Sequence, residues 1–143
     1  MILITFFILL SSLAAPAAEI NRNYPPDPAG FTVIDRACAT VNTKNGSYAL
    51  YAVMYNTREG TLVDIYQSSS LKEKLSWKKV YQWKPDMAGE RQVLPAPSVL
   101  AVFESEEKIS FSIIYMVKYY VGKVTFYVSH DIRTGRFEKG WSD

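Results

Sequence analysis

Gly46-Ser47-Tyr48-Ala49-Leu50-Tyr51-Ala52-Val53, then Gly60-Thr61-Leu62-Val63-Asp64-Ile65-Tyr66-Gln67-Ser68, then Trp77-Lys78-Lys79-Val80 form one copy of a pattern that the chain carries twice. The second copy reads Lys108-Ile109-Ser110-Phe111-Ser112-Ile113-Ile114, Gly122-Lys123-Val124-Thr125-Phe126-Tyr127-Val128-Ser129 and Phe137-Glu138-Lys139. Residues 46–83 and 107–141 superpose at an offset of 60 to 62 positions, with Tyr48 on Ile109, Gly60 on Gly122, Ser68 on Ser129 and Trp77 on Phe137. A period of that size in strand-like sequence points to propeller blades or tandem β units, which bury their faces by stacking on neighbours.

Working outward, strands are expected at 31–36, 47–55, 61–68, 77–83, 98–104, 108–118, 122–129 and 136–141. These stretches are dense in Val, Ile, Tyr, Phe and Thr. Turn chemistry separates them at Asn45-Gly46, Glu59-Gly60, Glu106-Glu107 and Thr134-Gly135. Leu71 to Leu75 allows at most one helical turn, and no window sustains a 3.6-residue period. The fold class is all-β with antiparallel strands. Two propeller-like blades are the first expectation; a small β-barrel or a sandwich is the alternative. Gly60 to Ser68 alternates, placing Leu62, Asp64 and Tyr66 on one face. Ile113-Ile114-Tyr115-Met116-Val117 is apolar or aromatic throughout, so this strand is expected to be covered on both faces.

The N-terminus sets the compartment. Met1 to Leu13 is apolar apart from Thr5, Ser11 and Ser12, and Ala14-Ala15-Pro16-Ala17-Ala18 supplies small residues for a signal peptidase. Residues 1–18 therefore read as a signal peptide, too short for a comfortable membrane span, which predicts a secreted or periplasmic protein with no membrane association after cleavage. Residues 19–30 form a proline-rich arm, and 31–143 a single β domain of two repeat units, about 31–84 and 96–143. The 143 − 18 = 125 residues that remain suffice for one core. A net charge of +2 with interspersed signs argues against a nucleic-acid partner. One cysteine, Cys38, excludes an internal disulfide framework, and one Cys with one His excludes a structural zinc site, so no metal and no cofactor is expected.

Several short patterns, in order along the chain, resemble those of family 43 glycoside hydrolases, the arabinanases and β-xylosidases built on a five-bladed β-propeller. Asp27-Pro28 is similar to the Asp-Pro that opens their first blade, and Asn45-Gly46-Ser47-Tyr48-Ala49-Leu50-Tyr51 to a Gly-x-Tyr-Tyr-Leu-Tyr strand. Ser68-Ser69-Ser70-Leu71 followed by Trp77 resembles the turn that ends that blade. Ala96-Pro97-Ser98-Val99 resembles the Ala-Pro-Asp-Val that opens blade two, and Ser129 to Phe137 the segment that closes it. The resemblance implies about two blades and a role in handling plant-type polysaccharide. It places the family's general base on Asp27, but its second aspartate falls on Ser98, and the acid from blade three has no counterpart. The implied molecule is a degenerate member that binds sugar without catalysis, with an arabinanase- or xylosidase-type activity as the alternative.

The candidate residues have two readings each. Asp27 is a candidate base or an ordinary turn residue among prolines. Tyr115, Tyr119, Tyr120 and Trp77 are candidates for stacking on a sugar ring, or core aromatics. Asn45-Gly46-Ser47 is a glycosylation sequon in a eukaryotic host and also a hairpin turn. His130-Asp131 is expected in a solvated turn, and the lysines around Trp77 at a solvated edge. Three functions compete: a secreted carbohydrate-binding protein, a small lipocalin-like β-barrel or partner-binding protein, and a glycosidase completed by further blades. Partners expected are a polysaccharide or oligosaccharide, with self-association through an open apolar flank.

Overall fold

Two long hairpin series fold into two separate sheets. A computed structural model describes residues 24–68, 76–87, 90–91, 99–116 and 123–142. The first sheet is a meander of β1 (Thr32–Thr43), β2 (Gly46–Thr57), β3 (Gly60–Ser68) and β4 (Lys78–Trp83), each antiparallel to the next. A two-stranded ribbon of β5 (Asp86–Met87) and β6 (Glu90–Arg91) follows. The second sheet repeats the meander with β7 (Leu100–Glu104), β8 (Lys108–Met116), β9 (Lys123–Asp131) and β10 (Phe137–Ser142). The stretches 46–83 and 107–141 thus supply the second to fourth strands of their respective sheets. The signal-like residues 1–18 lie outside the described residues.

A turn chemistry that the sequence writes twice sets the register of the first sheet. Asn42-Thr43-Lys44-Asn45-Gly46-Ser47 joins β1 to β2, and Asn56-Thr57-Arg58-Glu59-Gly60-Thr61 joins β2 to β3. In each, the Thr hydroxyl donates to the Gly carbonyl, at 2.8 Å for Thr43 and 2.9 Å for Thr57. It also accepts from the backbone N–H two residues on, that of Asn45 or Glu59. The Asn carboxamide accepts from the hydroxyl after the glycine, Ser47 at 2.8 Å and Thr61 at 2.6 Å. Gly46 and Gly60 hold φ of 124° and 132°, where a side chain is strained. In the second sheet Ser105 takes the threonine's role between β7 and β8, its hydroxyl donating to Lys108 C=O and accepting from Lys108 N–H.

Strand alternation gives each sheet one apolar face, and the two faces meet. Leu50, Ala52 and Met54 of β2 with Val63 and Ile65 of β3 pack into one cluster with Ile109, Phe111 and Ile113 of β8 and Val124, Phe126 and Val128 of β9. Trp83, the last residue of β4, closes the cluster. The stack is held in alignment along one side by β1 and β7. There the Asp35 carboxylate accepts from Leu100 N–H at 2.7 Å, and Glu104 accepts from Thr40 N–H at 3.1 Å. On the opposite side Tyr81 and Phe137 stack with ring centroids 4.4 Å apart.

Three expectations change. The barrel alternative fails: the described strands form two sheets with free edges, and large side chains fill the space between them where a lipocalin would hold its ligand. β1 runs on to Thr43 rather than stopping near residue 36, because Ala39 and Val41 continue its core-facing alternation through weak strand formers. β8 is not covered on both faces, since Ile113 is fully buried but Ile114 is 60% exposed. With one core shared by both sheets, Phe111→Ala is expected to cost about 3–5 kcal/mol. Urea unfolding followed by near- and far-UV circular dichroism should show one coincident transition at a lower midpoint. Separate transitions for the two sheets would contradict a shared core.

Candidate functional site

The face of the first sheet turned away from the core carries the chemistry. Cross-strand pairing sets Arg36 beside Val53, Val53 beside Asp64 and Asp64 beside Gln82, with Tyr51 beside Tyr66 and Tyr55 beside Leu62. The pleat therefore gathers a carboxylate, an amide, a guanidinium and three phenols on one surface.

Asp64 is the centre of it, only 3% exposed. Its Oδ1 accepts from Gln82 Nε2 at 2.9 Å and pairs with Lys79 Nζ at 2.7 Å, while its Oδ2 accepts from the Tyr55 hydroxyl at 3.1 Å. A carboxylate removed from water is tolerable only with partners of this kind. Burial, reinforced by the neighbouring Asp64 charge, pushes the Tyr55 phenol up to about 12, and Tyr66 is raised by the same two causes. Both hydroxyls are thereby kept protonated, and that of Tyr55 donates to Asp64. Because Gln82 gives its NH2 group to Asp64, its Oε1 is left as an acceptor at the border of a groove of about 230 Å³. Thr61, Leu62, Lys84 and Pro85 line the same groove. It is smaller than the about 300–1,000 Å³ of pockets for drug-sized ligands, and so suits one small ring.

Residues 24–31 lie across the rest of this face as a strap. Tyr24 stacks on Tyr51 at 4.4 Å and on Trp77 at 5.9 Å, and Phe31 tilts against Tyr55 at 5.4 Å. Between these rings the Asp27 carboxylate is held by Arg36, with Arg36 Nε donating to Oδ1 at 3.1 Å and a second guanidinium nitrogen to Oδ2. Arg36 is raised above its ordinary value chiefly by that bond to Asp27. Pro25, Pro26 and Pro28 keep the strap extended and remove three backbone donors. Among the described residues, its backbone hydrogen bonding outside the strands is limited to Phe31 N–H on Pro28 C=O at 3.4 Å.

The structure brings two of the sequence candidates together here. Asp27 is exposed, with both oxygens on Arg36. Trp77 is half-buried under Tyr24, and its indole Nε1 is buried with no hydrogen-bond partner. Tyr115 lies in β8 opposite Val124, away from this face. Tyr119, Tyr120 and Ser98 lie outside the described residues. Asn45 is exposed in the β1–β2 turn, beside a second groove lined by Lys44, Glu106, Glu107 and Arg133 from three hairpins. No group of three or more metal-ligating side chains occurs among the described residues. No described helix is long and apolar enough to cross a membrane.

Sequence reasoning missed Gln82 and Tyr55, although the alternation that put Asp64 on one face with Tyr66 was the signal leading to them. It also placed His130 in a solvated turn. His130 is instead 2% exposed, near the end of β9, because Phe137 packs on its ring at 4.3 Å and Tyr48 of the other sheet meets its Nε2 at 2.5 Å. Its Nδ1 is buried without a partner. Burial lowers the His130 pKa below its ordinary value, against a smaller opposing effect of Asp131, and raises the Tyr48 phenol to about 12. The neutral imidazole thus bridges the two sheets.

Comparison with family models, curated proteins and solved structures returns no significant match. The geometry of the chain itself therefore carries the functional argument.

Two outcomes follow from these networks. Asp64→Ala leaves the buried Tyr55 hydroxyl without its acceptor and should lower unfolding stability by about 1–3 kcal/mol, measured by urea titration. His130 has a depressed folded-state pKa, so below its ordinary value of 6.5 the unfolded chain binds more protons than the folded one. Stability should fall as pH drops from above 6.5 toward the lower folded-state value. His130→Gln, which keeps a partner for Tyr48, should flatten that part of the profile; an unchanged slope would remove His130 as its cause.

Proposed function

We propose that this chain is an exported, non-catalytic carbohydrate-recognition protein that seats a sugar ring of a plant-type polysaccharide on the outer face of its first sheet. The observation that carries the reading is Gln82, oriented by the buried Asp64 at the edge of a groove lined by Leu62 and Pro85 and flanked by the aromatic face. A sugar ring offers C–H faces to apolar and aromatic surface and hydroxyls to fixed planar acceptors and donors; this face has both. Export rests on the composition of residues 1–18.

Hydrolysis is the weaker reading for a chemical reason. Inverting hydrolysis needs one carboxylate free to take a proton from water and a protonated one across the scissile bond. Both Asp27 oxygens are occupied by the Arg36 guanidinium, and the position resembling the second aspartate is Ser98.

Affinity electrophoresis in gels cast with arabinan, arabinoxylan or xylan, with released reducing sugar assayed alongside, tests this directly. Retardation without sugar release is expected. Gln82→Ala should weaken it about tenfold, equivalent to the loss of one good polar contact. Sugar release would establish a glycosidase, and no retardation in any gel would overturn the carbohydrate reading.

A second reading, docking of a protein partner, is favoured by the outer face of the second sheet. Phe103 there is 62% exposed and Val99 65% exposed, in line with Ile114. Concentration-dependent dimer in sedimentation velocity, abolished by Phe103→Ser, would select it.

A further inference from the structure

Tyr24 makes its closest ring contacts with Tyr51 and Trp77, and all three come from parts of the chain far apart in sequence. Tyr24 is stacked on both at interplanar angles of 25° and 27°, between the Tyr51 and Trp77 rings, which are tilted 51° to each other at 5.8 Å. It is 43% exposed, so one side of its ring covers the platform and much of the rest meets solvent. Beneath it, Trp77 Nε1 is a buried donor with nothing to donate to. A tyrosine ring stacked on the indole face cannot accept this in-plane N–H; a ligand whose hydroxyls extend past the indole edge can.

We infer that the Tyr51–Trp77 platform is a second ring-binding subsite on the same face, occupied in the free protein by the chain's own Tyr24. The subsite takes a second pyranose or furanose ring of the oligosaccharide whose first ring is held beside Gln82, so the inference rests on the carbohydrate reading. The strap is built to lift. It is fastened by side-chain rings and one exposed ion pair, Asp27 with Arg36, rather than by pairing into the sheet. A ligand that must displace Tyr24 binds with an affinity reduced by the fraction of molecules in which the strap is open. Loosening the strap therefore tightens binding. The same change made to an ordinary contact residue would weaken it.

The experiment compares the wild-type chain with Tyr24→Ala and Asp27→Asn, using xylo- and arabino-oligosaccharides by titration calorimetry and the matching polysaccharides by affinity electrophoresis. Asp27 and Arg36 are both exposed, so Asp27→Asn leaves the core intact and guards against misfolding in the first variant. Tyr24→Ala should bind about two- to twelve-fold more tightly, the range released when one aromatic stack is removed. Asp27→Asn should shift in the same direction. Wild-type affinity should also rise with salt as the ion pair is screened, an effect absent in Asp27→Asn. A readout free of ligand runs in parallel. In a Trp141→Phe background, which removes the exposed indole and leaves the buried Trp83 silent, acrylamide quenching of Trp77 should increase in both variants.

Unchanged or weaker binding in both variants, with the wild type still bound, would overturn the subsite while leaving the carbohydrate reading in place. Binding by neither the wild type nor the variants would overturn both. Binding by the variants alone would support the subsite and identify Tyr24 as the block. Unchanged quenching of Trp77 in both variants would overturn the occupied platform whatever the sugars do.

Discussion

The fold depends on one packing event, the meeting of two apolar sheet faces through Phe111, Phe126, Leu50, Met54, Ile65, Ile109 and Ile113. The first sheet has a smaller buried cluster on its outer face, around Tyr51, Val53 and Tyr55, but the shared cluster is the larger. Each is a four-stranded sheet with one face that must leave water, and each supplies the other's cover. The polar contacts between the sheets then set how the faces align. Asp35 on Leu100 N–H and Glu104 on Thr40 N–H tie β1 to β7, while Tyr48 meets His130 deep in the stack. These bonds are modest in net energy, but leaving the part-buried ones, Asp35 on Leu100 N–H and Tyr48 with His130, unmade is costly, which makes them specific.

With the inner faces consumed, the outer faces define what the molecule presents. They differ. On the first sheet the outer face is aromatic and charged, and Tyr24 to Phe31 is drawn over it. On the second sheet it carries exposed Phe103, Ile114 and Tyr127, with Ser110 and Ser129 bonded hydroxyl to hydroxyl at 2.8 Å across β8 and β9. Tyr127 lies over Gly140 of the neighbouring strand, where a Cβ would come within 2.5 Å of its hydroxyl oxygen. The carbohydrate proposal follows from this asymmetry: among the described residues, only the outer face of the first sheet combines a buried carboxylate, an oriented amide and stacked rings.

Much of this was legible from the chain. Strand positions followed from β-branched and aromatic runs between Gly-containing turns, and Leu62, Asp64 and Tyr66 share a face as a period of two requires. The strand β1 was read too short because Ala37, Cys38 and Ala39 have little strand preference of their own; they are strand because Tyr51, Leu50 and Ala52 stand opposite them. His130 was misplaced because a His-Asp pair before a turn carries no local mark of burial. Its burial comes from Tyr48 and Phe137, one of them 82 positions away.

By itself, the sequence determined that this chain is all-β, where most strands begin and end, and that the same strand pattern occurs twice, since backbone preference, alternation and turn chemistry are local properties. Tertiary structure alone decided that two sheets stack rather than close into a barrel. It also decided that Asp27 is bound to Arg36, that Trp77 lies under Tyr24, and that Asp64 has Gln82, Tyr55 and Lys79 as partners. Those facts depend on which distant faces exclude water together, and no local pattern encodes that choice.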